Sequence, residues 1–392
     1  MNVRLFTNAR LVCPARGVSQ GSLLVRDGKI ADIGVVTAPA DAATTDLAGA
    51  TLAPGIVDLG VFAVDRAAFR SGGITRAATM PGVSGERDDD ALSLHRIVPA
   101  VVGNDLFEMA AARGRGAVAV STGRSWIADS GLMRRVMAYA AALDMPVVGH
   151  AEDAGLVGDA VATDGATASR LGLSSAPAAA EAMAVMRDLA LADVTGARIH
   201  FRQVTTAAAL DIVREAKKRG AHVTCGVTPA HLLLSDIALE DFRTFAKLSP
   251  SLRSEADRQA CLRAVADGTI DLICSGHDPK GPEDKRLPFA EAEAGASGAE
   301  TLLALTLGLV RDEVIPIDRL FALLAANPAK VLKLRAGTLE PGMPADLIVI
   351  DEGAPWRIDA ERMQARAGNT PFDGLPTQGK VLQLICGGRP IV

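Results

Sequence analysis

The sequence predicts an α/β fold: a (β/α)8 TIM-type barrel with a small β-sandwich domain formed by both termini. Three observations carry this. The middle of the chain alternates strand-like and helix-like segments over a span near the ~250 residues of such a barrel. Both ends are strand-rich instead. No glycine-rich phosphate loop follows an early strand, which argues against an open doubly wound sheet. The boundaries read as 1–53 plus 338–392 for the composite β-domain and 54–337 for the barrel.

At the amino end, Arg4–Phe6, Ser22–Arg26 and Ile30–Gly34 read as strands, the last two joined by Asp27-Gly28, a hairpin signal. Ala345–Asp351 and Lys380–Cys386 are the strands of the carboxyl end. Between them, strand Gly116–Val120 leads to helix Gly131–Leu143, and strand Pro146–Gly149 to helix Ala178–Ala192. Strand Arg198–Val204 precedes helix Ala207–Arg219, which stops at Gly220 as helices commonly do. Ala221–Val227, the helix Asp257–Ala266 and the strand Asp271–Ser275 follow, and helices Ala299–Val310 and Asp318–Leu334 end the series.

Composition narrows the function. Of 392 residues, 49% are hydrophobic, yet there are only two Trp and one Tyr, so Ala, Val, Leu and Gly must fill the core. The net charge of −5 leaves no basic footprint for nucleic acid or anionic membrane. The five cysteines (Cys13, Cys225, Cys261, Cys274, Cys386) form no CxxC pair and read as buried free thiols. No run approaches the roughly 18–20 apolar residues of a membrane span, and the start of the chain lacks a leader pattern, so a cytoplasmic protein is expected. The acidic run Glu86–Asp90 reads as a solvated loop.

Leu52–Asp58, His150–Asp153, Thr228–Leu234, Lys247–Arg253 and several later stretches together resemble dihydroorotase, of the amidohydrolase superfamily. Leu52-Ala53-Pro54-Gly55-Ile56-Val57-Asp58 is similar to that family's entry to the first barrel strand, and His150-Ala151-Glu152-Asp153 to its HxED strand end. Thr228-Pro229-Ala230-His231-Leu232-Leu233-Leu234 resembles TPHHLLL, and Lys247-Leu248-Ser249-Pro250-Ser251-Leu252-Arg253 resembles KxNPPLR. His277-Asp278-Pro279 through Phe289, then Asn369-Thr370-Pro371-Phe372, complete a match that runs in order along nearly the whole chain.

The resemblance implies a binuclear zinc site at the carboxyl ends of the barrel strands, where zinc polarises an amide carbonyl and yields hydroxide near neutral pH. The matching positions here are depleted. The HxH pair is Gly60 and Phe62, the bridging carboxylate falls at Thr122 beside Ser121, a histidine is Gln203, and the proton-moving aspartate is Gly276. Only His150 survives of that set, and it reads as a strand-end histidine bonded to Glu152 or a carbonyl. Counting alternation back from Gln203 turns His200 toward the helices, and His277 likewise away from the site. Asp58 shares the parity of Gly60 but lies deeper. The substrate positions are equally altered: the carboxylate-binding arginine falls at Val64, with Arg66 and Arg70 nearby, and Gly82, Ser249 and Lys280 replace two asparagines and a histidine. No catalytic, substrate-binding or metal-binding set is therefore expected, and no cofactor.

What the resemblance implies is a non-catalytic, oligomeric partner of aspartate carbamoyltransferase, the preceding enzyme of pyrimidine biosynthesis. One alternative is an active cyclic-amide hydrolase with a rebuilt zinc site or a site completed by a partner. Another is a small-molecule sensor using the vacated pocket.

Overall fold

The computed structural model describes residues 3–83 and 92–391, so the acidic run Glu86–Asp90 lies outside the described residues. Five strands come first: β1 (Val3–Cys13), β2 (Gly17–Arg26), β3 (Lys29–Gly34), β4 (Ala43–Asp46) and β5 (Thr51–Pro54). The barrel follows as β6 (Ile56–Val61), β7 (Ile74–Thr79), β8 (Ser93–Pro99), β9 (Ala117–Ser121), β10 (Val147–Gly149), β11 (Ile199–Phe201), β12 (Val223–Val227) and β13 (Leu272–Ile273). The chain ends in β14 (Leu347–Arg357), β15 (Pro376–Cys386) and β16 (Arg389–Pro390).

Strands β6 to β13 are neighbours in chain order and all parallel. Side-chain and main-chain bonds close the ring between last and first. Phe62 N donates to His277 O at 2.9 Å, and Ser275 donates through N (2.9 Å) and Oγ to the buried Asp58 carboxylate. Alternation sorts the strands' residues. Leu59, Ala78, Ile97, Ala119, Val148 and Leu272 fill the ring with Leu332, while Val120, Val147, Ile199, Phe201 and Val223 face the helices. Burial of this kind, worth roughly 25 cal/mol per Å² of apolar surface, owes nothing to the residues at the mouth.

The remaining strands form one sheet in the order β16-β15-β14-β5-β1-β2-β3, with β4 beside β1. Asp27 (φ 49°) and Gly28 (φ 77°) make the left-handed two-residue turn the sequence announced. The free side of β3 returns to the segment before β14, where Ile30 N bonds Met343 O and Ala345 N bonds Gly28 O, each at 2.9 Å. The sheet thus wraps around Phe6, Leu11, Leu23, Ile30, Leu347 and Ile385, and its other face packs Val12, Ile348 and Leu384 on the barrel core.

The helices used below are α1 (Arg66–Gly72) and α2 (Ala179–Thr195). All five cysteines are free and buried. Among the described residues no helix is long and apolar enough to cross a membrane. Two barrel strands, β7 and β8, are not marked by the sequence pattern. Each interrupts its apolar pattern with polar groups, and Arg76 of β7 reaches out to Asp346 (Nε–Oδ2 2.8 Å), tying barrel to sheet.

Candidate functional site

Each barrel strand delivers its last residue to one rim, so the mouth is assembled by geometry before any chemistry is specified. There a cavity of about 260 Å³ is lined by Phe62, Arg202, Gln203, Ser249, Gly276 and Lys280, among others. Five of the expected positions therefore meet in one place. Gly60 sits against the aliphatic stem of Arg202, whose Cδ lies 3.4 Å from where a Cβ at position 60 would stand. Thr122 Oγ1 accepts the His150 N–H at 2.9 Å. Val64 and Gly82 do not join the cavity: Val64 packs on the core beside α1, and nothing lies within 4 Å of a Cβ at Gly82.

The decisive residue stands at no motif position. Arg202 leaves β11 with its side chain turned into the mouth, 4% exposed. Its guanidinium carbon lies 4.7 Å from the centroid of the Phe62 ring, and Arg124 lies over the same ring at 3.9 Å. Arg124 is neutralised by a two-pronged pair with Asp278 (2.5 and 2.9 Å). Among the described residues Arg202 has no such partner. The hydrogen bond it makes there runs from Nη2 to His150 Nδ1 at 3.2 Å, and burial pulls its pKa down to about 10.

That bond orients the His150 ring. A guanidinium only donates, so Nδ1 supplies its lone pair and the proton sits on Nε2, which faces Glu152 Oε2 at 3.3 Å. Glu152 passes the connection on to Arg253 (2.6 Å), which also reaches Glu181 (3.3 Å), Thr205 and Thr163. Glu181 is wholly buried and accepts four further bonds from Thr205 and Thr206. Burial opposes the Glu152 charge most strongly, but the His150 and Arg253 bonds overcome it and hold its pKa at about 2. His150 thus stands at a strand end with its ring against Glu152.

The residues present do not fit a zinc pair. An imidazole ligand needs a free lone pair, and that of His150 is taken by a cation. Among the described residues no group of three His, Cys, Asp or Glu side chains is placed to hold a metal ion. Phe62 and the Arg202 guanidinium fill the space beside His150.

Three other histidines make local contacts. His277 turns away from Gly276, as alternation predicts: its ring meets Phe69 of α1 edge-on at 5.7 Å and its Nδ1 accepts from Ala299 N at 3.3 Å. His231 lies between Thr228 Oγ1 (2.8 Å) and Pro250 O (3.1 Å). For His200 the expectation fails. It does not face the helices; it pairs in register with the inward-facing Val148, and its Nδ1 meets Thr224 Oγ1 at 2.9 Å. The strand ends at Phe201, earlier than expected, so alternation counted back from Gln203 loses its parity.

Comparison with known proteins follows the same line. Residues 63–391 match the amidohydrolase family. A dihydroorotase from Syntrophotalea carbinolica is 36% identical, the alignment covering 98% of each chain. One from Anaeromyxobacter dehalogenans is 37% identical over 99% of this chain and 97% of the relative. Among solved structures, the L-hydantoinase (dihydropyrimidinase) of Arthrobacter aurescens superposes with a TM-score of 0.90 at 24% identity, covering 100% of this chain and 96% of the other.

Proposed function

The chain belongs to the amidohydrolase family, and within it to the dihydroorotases, and from that premise we propose that it is a non-catalytic member serving as a structural partner of aspartate carbamoyltransferase. One observation carries the loss of chemistry. The Arg202 guanidinium occupies the lone pair of the surviving ligand-position histidine, so a metal would have to displace a buried cation that the fold holds against Phe62. With Gly60, Phe62, Thr122, Gln203 and Gly276 at the other positions, no side chain there offers the ligands or the general base that amide hydrolysis requires.

The family supplies the choice of partner. The structure supplies a surface that association would cover: Met183, Met186 and Val194 share one solvent face of α2, 54%, 59% and 74% exposed. A paired measurement tests the reading. Zinc content and dihydroorotate hydrolysis are measured on protein grown with added zinc, alone and mixed with aspartate carbamoyltransferase. The expected result is no stoichiometric zinc, no turnover by the isolated chain, and a stable complex. One or two zinc equivalents with ordinary dihydroorotase turnover make it instead an active cyclic amidohydrolase with a rebuilt site.

A further inference from the structure

The end of the barrel opposite the mouth holds a second cavity, of about 450 Å³. Its wall is built from the residues that precede four neighbouring strands: Pro146 before β10, Arg198 before β11, His222 before β12 and Asp271 before β13. Arg319 and Lys330 line it as well. The charge there is one-sided, three cations to one carboxylate, in a chain whose net charge is −5. That carboxylate is already engaged, since Asp271 Oδ2 accepts from Lys217 at 2.6 Å and from the Cys225 N–H at 2.8 Å. Arg198 pairs with Asp144 at 2.9 Å but shares it with Lys333. Arg319 and Lys330 have no carboxylate within ion-pair distance among the described residues.

A second, independent feature points to a ligand. His200, 1% exposed, lines the same cavity; its Nδ1 meets Thr224 Oγ1 at 2.9 Å and its Nε2 has no partner. Buried polar atoms are seldom left so. Burial keeps the ring neutral, its pKa down at about 3, so it carries a single N–H. With the Thr224 hydroxyl donating to Nδ1, that N–H is on Nε2, a donor waiting for an acceptor. Uncompensated cations and an unspent donor around one cavity suit an anion with several oxygens. We propose that this floor of the barrel binds a phosphoryl group, with its charge on Arg198, Arg319 and Lys330 and one oxygen on the His200 N–H. The volume falls within the roughly 300–1,000 Å³ of small-molecule pockets, so the phosphoryl group is that of a small phosphate monoester. The site stands at the other end of the barrel from the mouth and does not depend on what the mouth binds.

Glycerol 3-phosphate serves as the probe, compared with inorganic phosphate and with glycerol, which lacks the charge. Thermal melting and calorimetric titration of the full chain read binding, in phosphate-free buffer with ionic strength held constant by sodium chloride. The expected result is stabilisation by millimolar glycerol 3-phosphate, a weaker response to inorganic phosphate, and none to glycerol. Arg319→Gln combined with Lys330→Gln is expected to weaken glycerol 3-phosphate at least about tenfold, the loss of charged hydrogen bonds. His200→Leu should weaken it several-fold with both cations in place. Arg362→Gln removes an exposed cation far along the chain and should bind like the parent. Should His200→Leu misfold, the Arg319 and Lys330 variant and the three probes still decide the matter.

A response that sodium chloride of the same ionic strength reproduces overturns the proposal. So does a protein with both Arg319 and Lys330 replaced that binds like the parent, or an Arg362→Gln protein that loses as much. Equal affinity for glycerol 3-phosphate and inorganic phosphate upholds the phosphoryl site and makes the free ion its occupant. Zinc in the mouth and turnover of dihydroorotate would overturn the non-catalytic reading and leave this inference standing.

Discussion

Replacing Arg253 by Met tests whether the network behind His150 holds the mouth in its present state. Arg253 is 4% exposed and donates to Glu152, Glu181, Thr205 and Thr163. Methionine fills much of the stem's volume but leaves two buried carboxylates without their cation. Removing one partner of a buried ion pair costs about 3–5 kcal/mol, most of it the penalty of the charge left behind. The loss should depend on pH, with a definite sign. In the parent, Glu152 has a pKa of about 2, below its ordinary value of 4.5, so its contribution is full above about pH 4.5 and fades as pH falls toward 2. In the variant, burial acts on Glu152 with only His150 opposing it, so its pKa rises and the carboxylate costs stability at neutral pH. The deficit between variant and parent should therefore shrink on going from pH 7 to pH 4. Chemical denaturation at several pH values measures it. A loss under about 1 kcal/mol at pH 7, or a deficit that grows toward acid, would refute the reasoning.

Three further outcomes are expected. Buried neutral histidines should make the fold acid-sensitive. Burial lowers the pKa of His95, His231 and His277 to about 4 and of His200 to about 3, below the 6.5 of the unfolded chain. The stability they confer is thus whole above pH 6.5 and lost as pH falls toward 4, and melting temperatures across that range should show His277→Phe with a shallower decline than the parent. Dialysis against EDTA should leave the melting temperature unchanged, because no structural metal is invoked; a drop of several degrees would contradict this. Met186→Glu should weaken co-purification with aspartate carbamoyltransferase while leaving the melting temperature within the scatter of surface substitutions, roughly ±0.5 kcal/mol.

Architecture was legible wherever a local rule acts alone. Asp27-Gly28 demands its left-handed turn whatever surrounds it, and Gly220 ends its helix with φ +82°. The barrel strand β7 carries no clean apolar pattern because its Arg76 answers to a distant partner, Asp346. Within the site, Gly60, Phe62 and Gly276 could be placed because a motif numbers them. Arg202 belongs to no motif position, although a charged residue directly after the buried strand Ile199–Phe201 is a signal. Its importance comes from where β11 stops, and strand ends are decided by packing across the barrel. The misplacement of His200 has the same origin.

The altered positions depend on one another, and this makes a last prediction specific. Gly60 has φ +95° and Gly276 φ +60°, left-handed conformations that ordinary side chains resist. A Cβ at 276 would lie 2.9 Å from Thr228 Cγ2, and one at 60 would touch the Arg202 stem at 3.4 Å, so a longer side chain at 60 would extend against it. Arg202 in turn occupies His150 Nδ1, and the proton on Nε2 is committed to Glu152. Restoring a single family residue leaves that chain of dependence intact. Gln203→His should bind no zinc, because the guanidinium still blocks the neighbouring imidazole. Arg202→Ala with Gln203→His releases Nδ1 of His150 and adds a second imidazole, and should give weak zinc binding. Two imidazoles remain short of the three protein ligands of a catalytic zinc, so hydrolysis should stay absent. Zinc bound as tightly by Gln203→His alone as by the double variant would show that Arg202 does not control the site.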